Sequence, residues 1–193
     1  MPRRILIVDG HPDPDAARFG HALVDAYRAA AQGAGHEVRT ITVSKLDFPL
    51  LRTADEFQKG RPPPAIAAAQ HDIAWSGHLA IFYPLWLGAM PALTKAFFEQ
   101  CLRPGFAFEE ASGRGFPKQK LKGRSARVVV TMGMPGFFYR WFYRAHSLKS
   151  FERNILRFCG IGPVRATVVG LVESAGARKR ALAGMRRSGA AAN

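Results

Sequence analysis

Five short apolar, β-branched runs recur along the chain at separations of roughly 30 to 50 residues, and nothing else restricts its fold as strongly. They are RILIVDG (4–10), HEVRTITV (36–43), HLAIFYP (78–84), ARVVVTMG (126–133) and VRATVVG (164–170). Several of them are apolar at successive rather than alternate positions, the mark of strands buried on both faces. The stretches between them are long enough for helices, and strand alternating with helix indicates a parallel sheet covered on both sides. Five such strands fit either a Rossmann or a flavodoxin-like order, and in both the ligands collect at the carboxyl ends of the strands. The loops that begin near Asp9, Tyr83 and Thr131 are therefore the ones to inspect.

The helices are placed by apolar spacing. Phe19, Leu23, Ala26 and Tyr27 share one face of a first helix, and Leu93, Phe97 and Cys101 follow Pro91 at helical intervals in a third. A fourth helix is expected from about Ser147 to Phe158, stopping at Gly160, and a fifth beyond Ser174. Residues 44–64 carry four prolines and no clear periodicity, so they read as a long excursion before the second helix. With 193 residues and no boundary or internal repeat, the chain is expected to form one domain over 1–193, with residues 188–193 frayed.

No apolar run approaches the roughly 20 residues that span a bilayer, and the N-terminal apolar run is too short for a signal peptide. Cys101 and Cys159 lack metal-ligand spacing and read as small buried hydrophobes. A cytoplasmic location is expected, without integral membrane association. The formal net charge of +14 is the unusual bulk property. Basic residues gather in RGFPKQKLKGRSAR (114–127), RWFYRAHSLKSFERNILR (140–157) and ARKRALAGMRR (177–187). A solvated basic surface accounts for this without a partner; a nucleic-acid binder would rest on charge alone, with no recognition motif beside it.

The loop DGHPDPDAARFG (9–20) runs into the first helix, whose N-terminus offers amide donors, and His11 and Arg18 add donors suited to phosphate. It contains neither GxGxxG nor a P-loop. Asp9, Asp13 and Asp15 crowd the same loop and suit Mg²⁺ as oxygen ligands; the preferred reading is that Asp13 or Asp15 caps the first helix, and no metal site is assigned.

The segment FYPLWLGAMPALTKAFFEQCLRPGFAF (82–108) places Trp86, Leu87 and Met90 where a wet loop is usual. With HPDP (11–14) after the first strand and FCGI (158–161) before the last, it resembles the NAD(P)H:quinone oxidoreductase family of flavodoxin-like fold, over about residues 4–172. The resemblance implies a flavodoxin-like three-layer α/β sandwich with a five-stranded parallel sheet in the order 2-1-3-4-5. It implies that Pro84, Leu85, Trp86, Leu87 and Gly88 hold the isoalloxazine ring of FAD or FMN. The chemistry agrees: a flat ring needs apolar cover, and Gly88 admits close backbone approach. Leu87 stands where the family has a second Trp. By the same resemblance Thr131, Met132, Gly133 and Gly136 meet the pyrimidine edge, and Phe19 lies at the cofactor phosphate, where Arg18 and Gly20 replace the usual Ser and Asn beside His11.

Tyr139 matches the family's tyrosine near flavin O2. His146 lies close to its histidine but falls one residue late in an ungapped alignment, so a helix-capping or surface histidine is the alternative. The aromatic run from Phe137 to Tyr143, interrupted by Arg140, needs cover. The resemblance implies a homodimer with the flavin at the interface; shallow insertion at a membrane surface ranks second. The expected activity is hydride transfer from NAD(P)H through flavin N5 to a quinone or other flat aromatic acceptor, by a ping-pong scheme. NADPH is preferred because Arg140, Arg144 and the lysines of 118–122 suit a 2′-phosphate. The alternative is a flavin- or nucleotide-binding regulatory subunit of an ion-efflux system with little activity of its own.

Overall fold

The computed structural model describes residues 1–109 and 115–193; Arg114, which opens the first basic stretch, lies outside them. In chain order the strands are β1 (Arg4–Asp9), β2 (Glu37–Thr42), β3 (His78–Pro84), β4 (Phe108–Glu109), β5 (Lys118–Gln119), β6 (Ser125–Thr131) and β7 (Val164–Val169). The five long strands form one sheet in the order β2-β1-β3-β6-β7, with every neighbour parallel. Counting long strands alone, this is the expected 2-1-3-4-5, the flavodoxin-like arrangement and not the Rossmann one. The two-residue antiparallel pair β4–β5 is additional.

The apolar runs divide between two layers by the period-two rule of a strand. Ile5 and Ile7 of β1 face α1 (Phe19–Gly33) and α7 (Ala175–Ala191), in a core with Leu23, Tyr27 and Met185. Leu6 and Val8 face the opposite layer, made of α3 (Pro64–Trp75), α4 (Ala92–Cys101) and the chain from α6 (His146–Ser150) into a π-helical segment, Phe151–Leu156. All four β1 side chains are fully buried, and cutting any of them back to Ala costs about 2–5 kcal/mol. Cys101 and Cys159 are buried free thiols, as expected.

Three expectations are corrected. Residues 44–64 hold a short helix, α2 (Ala54–Lys59), after a 3₁₀ turn at Val43–Lys45; Thr53 caps α2 by accepting from the Glu56 amide, while the Glu56 carboxylate accepts from the Arg52 amide. The aromatic run lies not in a loop but on a six-residue helix, α5 (Gly136–Trp141), and its continuation. The chain end does not fray at 188. Helix α7 runs to Ala191 and Ala192 is fully buried, because Arg3 donates to the Ala192 carbonyl at 3.1 Å and Arg127 reaches both the Asn193 carbonyl and its side-chain amide. The α1–α7 contact is tight: a β carbon at Gly189 would lie 2.3 Å from the Tyr27 carbonyl oxygen.

Candidate functional site

The carboxyl ends of β1, β3 and β6 are tied together before their loops diverge. The Gly10 amide donates to the Phe82 carbonyl at 2.7 Å and the Leu85 amide to the Thr131 carbonyl at 2.8 Å. Gly10 has no room for a side chain, since a β carbon would sit 2.7 Å from Thr94 Cγ2 and 2.8 Å from the Phe82 oxygen.

After β3 the chain makes a tight reversal. Trp86 and Ala89 exchange backbone hydrogen bonds of 2.9 and 3.0 Å, and the residues between them, Leu87 and Gly88, have φ of 46° and 79°. Positive φ at both central positions belongs to the mirror-image turns that suit hairpins, and Gly or Asn normally occupies them. Leucine there is strained, and it is fully exposed. Trp86 is 51% exposed beside it. A β carbon at Gly88 or at Gly133, on the neighbouring loop, would meet no atom within 4 Å. The site is thus a stiff apolar turn at the strand ends, next to open backbone. These residues fit a flat aromatic ring: apolar side chains to lie against its face, accessible main chain for its polar edge.

The loop after β1 is held by a buried polar cluster. Asp9 accepts from the His11 amide at 3.2 Å through one carboxylate oxygen and contacts His21 Nδ1 at 2.6 Å through the other. His21 Nε2 lies 2.9 Å from the Asp13 carbonyl oxygen. Burial opposes a charge on His21, but its bonds to the Asp13 carbonyl and the Asp9 carboxylate outweigh burial and raise its pKa. His11 is pushed the other way by burial and by the nearby His21; its ring stands edge-on to Trp86, with centroids 6.3 Å apart, and a Gly20 β carbon would press on it at 3.2 Å. Arg18, the N-cap of α1, is half exposed and bound to Asp13 through Nε at 2.7 Å. Phe19 is half buried under the Arg178 guanidinium, 5.2 Å from its ring. Asp13 and Asp15 accept from backbone amides two residues ahead, which shapes the turn; contrary to expectation neither caps α1, whose N-cap Arg18 makes no side-chain cap bond. Among the described residues no group of His, Cys, Asp and Glu is placed to hold a metal ion.

The third loop departs from expectation in two places. Tyr139 is 1% exposed; its hydroxyl shares a 2.8 Å hydrogen bond with Ser147 Oγ and accepts from the Leu148 amide at 3.3 Å. The phenol points into the protein because α5 turns that face toward the core. Gly136 is explained by packing, with its β-carbon position 3.2 Å from Val168 Cγ1 and its amide nitrogen 2.3 Å from where a Gly170 β carbon would be. Thr131 and Met132 are buried, and His146 is exposed at the first position of α6. Phe137, Phe138, Trp141, Phe142 and Tyr143 are all exposed. Of the basic residues expected to meet a 2′-phosphate, Lys118 and Lys120 are paired with Glu109 at 3.4 and 3.0 Å. A separate concavity of about 610 Å³, lined by Leu51, Phe57, Phe98, Phe108 and Phe158, opens beside α4 and takes in no residue of the turn or of the third loop.

A doubly wound parallel sheet in this order, with an apolar turn at its strand ends, defines a protein of flavodoxin-like fold. The chain belongs to the flavodoxin-like fold family, whose model matches residues 3–190. It is 25% identical over 169 residues, 86% of this chain and 82% of the other, to an uncharacterized NAD(P)H oxidoreductase of Haemophilus influenzae. Among solved structures it is similar to an NAD(P)H:quinone oxidoreductase from Methanothermobacter marburgensis, with a TM-score of 0.83 and 20% identity over 100% of both chains. An FMN-dependent NADH-azoreductase from Bacillus anthracis, solved in complex with FMN, superposes with a TM-score of 0.77 at 13% identity, over 100% of this chain and 99% of that one.

Sequence reasoning placed Asp9 in the loop as one of three candidate metal carboxylates and passed over His21. Their pairing needs the first turn of α1 to carry His21 back over the end of β1, a relation that neither residue type nor spacing announces.

Proposed function

We propose that the protein is a flavin-dependent NAD(P)H oxidoreductase acting on a quinone or similar flat aromatic acceptor. The observation that carries this reading is the turn at 86–89, a strained, closed reversal that presents Trp86 and Leu87 to solvent beside open glycine backbone at the carboxyl edge of a flavodoxin-like sheet. Pro84, Leu85, Trp86, Leu87 and Gly88 hold the ring, and the backbone of Thr131, Met132 and Gly133 serves its pyrimidine edge. His11, Arg18 and Gly20, with Phe19 alongside, take the phosphate at the N-terminus of α1. When bound, the flavin supplies the two-electron chemistry, accepting hydride from NAD(P)H and passing it to the acceptor.

The chain's own residues position and polarise. Trp86 and Leu87 exclude water from one ring face. His146, exposed at the start of α6, meets charge at the ring's N1 and O2 edge. Arg140 and Arg144 favour NADPH over NADH. FMN satisfies every contact named here; the adenosine half of FAD is left to the region of residues 60–64. The exposed aromatics of α5 and its continuation support a cytoplasmic homodimer in which the partner covers them and closes the acceptor slot.

Titration of the purified protein with FMN and FAD, followed by NADPH- and NADH-dependent quinone reduction, tests the proposal. Binding of one flavin nucleotide and turnover without a partner protein are expected, with Trp86→Ala weakening flavin affinity about tenfold or more. Failure to bind either nucleotide would end this reading.

A further inference from the structure

The buried cluster at the end of β1 does more than brace a loop. Its hydrogen bonds assign protons. Both ring nitrogens of His21 face acceptors: Nδ1 meets the Asp9 carboxylate at 2.6 Å and Nε2 the Asp13 carbonyl at 2.9 Å. An imidazole serves two acceptors at once only as the doubly protonated cation. His11 sits on the other side of the same peptide. Its Nδ1 is 3.1 Å from both the Asp13 amide nitrogen and the Asp13 carbonyl oxygen. The Asp13 N–H can only donate, so His11 Nδ1 accepts from it and the proton of the neutral ring resides on Nε2. Among the described residues Nε2 makes no hydrogen bond, while the ring stands between Gly20 at the start of α1 and Trp86 of the turn.

We propose that the Asp9–His21 pair is a positioning device for the cofactor phosphate, the proton on His21 fixing His11 in the tautomer whose Nε2–H donates to the anion. This rests on the flavin reading above and extends it to how the phosphate affinity is controlled. Loss of one proton from His21 to solvent takes it from Nε2, because Asp9 retains Nδ1–H. The Asp13 carbonyl is then without its donor and facing a lone pair. That repulsion turns the Asp13 peptide away, and the N–H that held His11 Nδ1 as an acceptor goes with it; the His11 proton then exchanges through solvent to Nδ1, which sets an Nε2 lone pair against the phosphate. The charged groups facing His21 are Asp9 from β1, His11 and Asp13 from the loop, and Asp25 one turn along α1; Arg18 is turned to Asp13 through its Nε, and α7 brings Arg178 only as far as the Phe19 ring. The carboxylates and the carbonyl favour the protonated form, and the raised pKa of His21 agrees with the geometry. Asp9 and His21 act through His11, so they are positioning residues.

The test compares FMN with riboflavin, which has the ring but no phosphate, from pH 7 upward through the His21 titration, where an FMN phosphate is a dianion throughout. Dissociation constants for both are measured by fluorescence quenching on wild type, His21→Gln and Asp9→Asn. Wild-type affinity for FMN is expected to fall about tenfold as His21 deprotonates, the worth of a hydrogen bond to a charged group, while riboflavin affinity stays constant. Both variants are expected to lose the FMN slope, since the titrating pair is gone. A flat FMN profile in wild type, or an unchanged slope in His21→Gln, overturns the proposal. Nitrogen-15 NMR of the histidine rings in the flavin-free protein supplies a second readout: below the His21 titration, His21 protonated at both nitrogens with His11 as the Nε2–H tautomer, and His11 changing tautomer as His21 titrates. A His11 tautomer indifferent to His21 overturns the relay. If neither FMN nor riboflavin binds at any pH, the flavin reading fails and the NMR result still decides the relay.

Discussion

The hydroxyl of Tyr139 lies 2.8 Å from that of Ser147, inside the protein. A phenol so placed ties α5 to α6. Tyr139→Phe leaves the buried Leu148 amide and Ser147 Oγ without their partner and is expected to cost about 1–2 kcal/mol in urea denaturation, with the rate of flavin reduction in stopped-flow unchanged. A slowed reduction at unaltered stability would return the phenol to the active site.

Leu87 occupies a backbone region where a β carbon is unwelcome. Leu87→Asn is expected to raise the stability of the flavin-free protein by about 1 kcal/mol by relieving that strain, and to weaken flavin binding by removing ring cover. Thermal denaturation and flavin titration on the same variant separate the two effects; a less stable variant would show that Leu87 earns its place by packing.

His78 sits at the start of β3, buried and bonded to Ser125 Oγ at 2.8 Å through Nδ1, with Nε2 unpartnered among the described residues. Burial, then the positive field of Arg3, Arg127 and Arg165, lowers its pKa to about 4. Its folded pKa is below the unfolded value, so the contribution is full above pH 6.5 and is lost as pH falls toward 4. Over that window the loss amounts to about 3 kcal/mol. Urea midpoints of wild type and His78→Phe at pH 7 and pH 4.5 check this: the difference between the two proteins should shift in favour of the variant in acid, and parallel losses would remove His78 as the cause.

Helices α1 and α7 meet at Gly189, where the nearest Tyr27 backbone oxygen leaves no space for a methyl group. Gly189→Ala is expected to lower stability by about 1–3 kcal/mol through forced separation of the two helices. A neutral result in a denaturation curve would mean that the crossing yields freely.

The sheet was legible because β1, β3 and β6 are buried on both sides and therefore read as unbroken apolar runs. Helices α1 and α4 showed in the spacing of Leu23 and Tyr27, and of Phe97 and Cys101. Helix α2 carried its own signal in Thr53-Ala-Asp-Glu56, a capping box that the flanking prolines obscured. The β4–β5 pair has too few residues to set up an alternation. What a linear pattern does not encode is direction: that Tyr139 faces inward while Phe137 and Trp141 face out depends on how α5 leans on β7, through the crossing of Gly136 with Gly170. The Asp9–His21 contact has the same character, since two helical residues more or fewer would aim His21 elsewhere.

The reversal at Trp86–Ala89 carries a consequence for redesign. Two main-chain links close it, so its outline exists before anything docks and survives exchange of the side chains it displays. Substitutions at 87 therefore retune which molecules rest there without reshaping the ledge, making that single residue a practical handle for altering cofactor or acceptor preference in an otherwise constant scaffold.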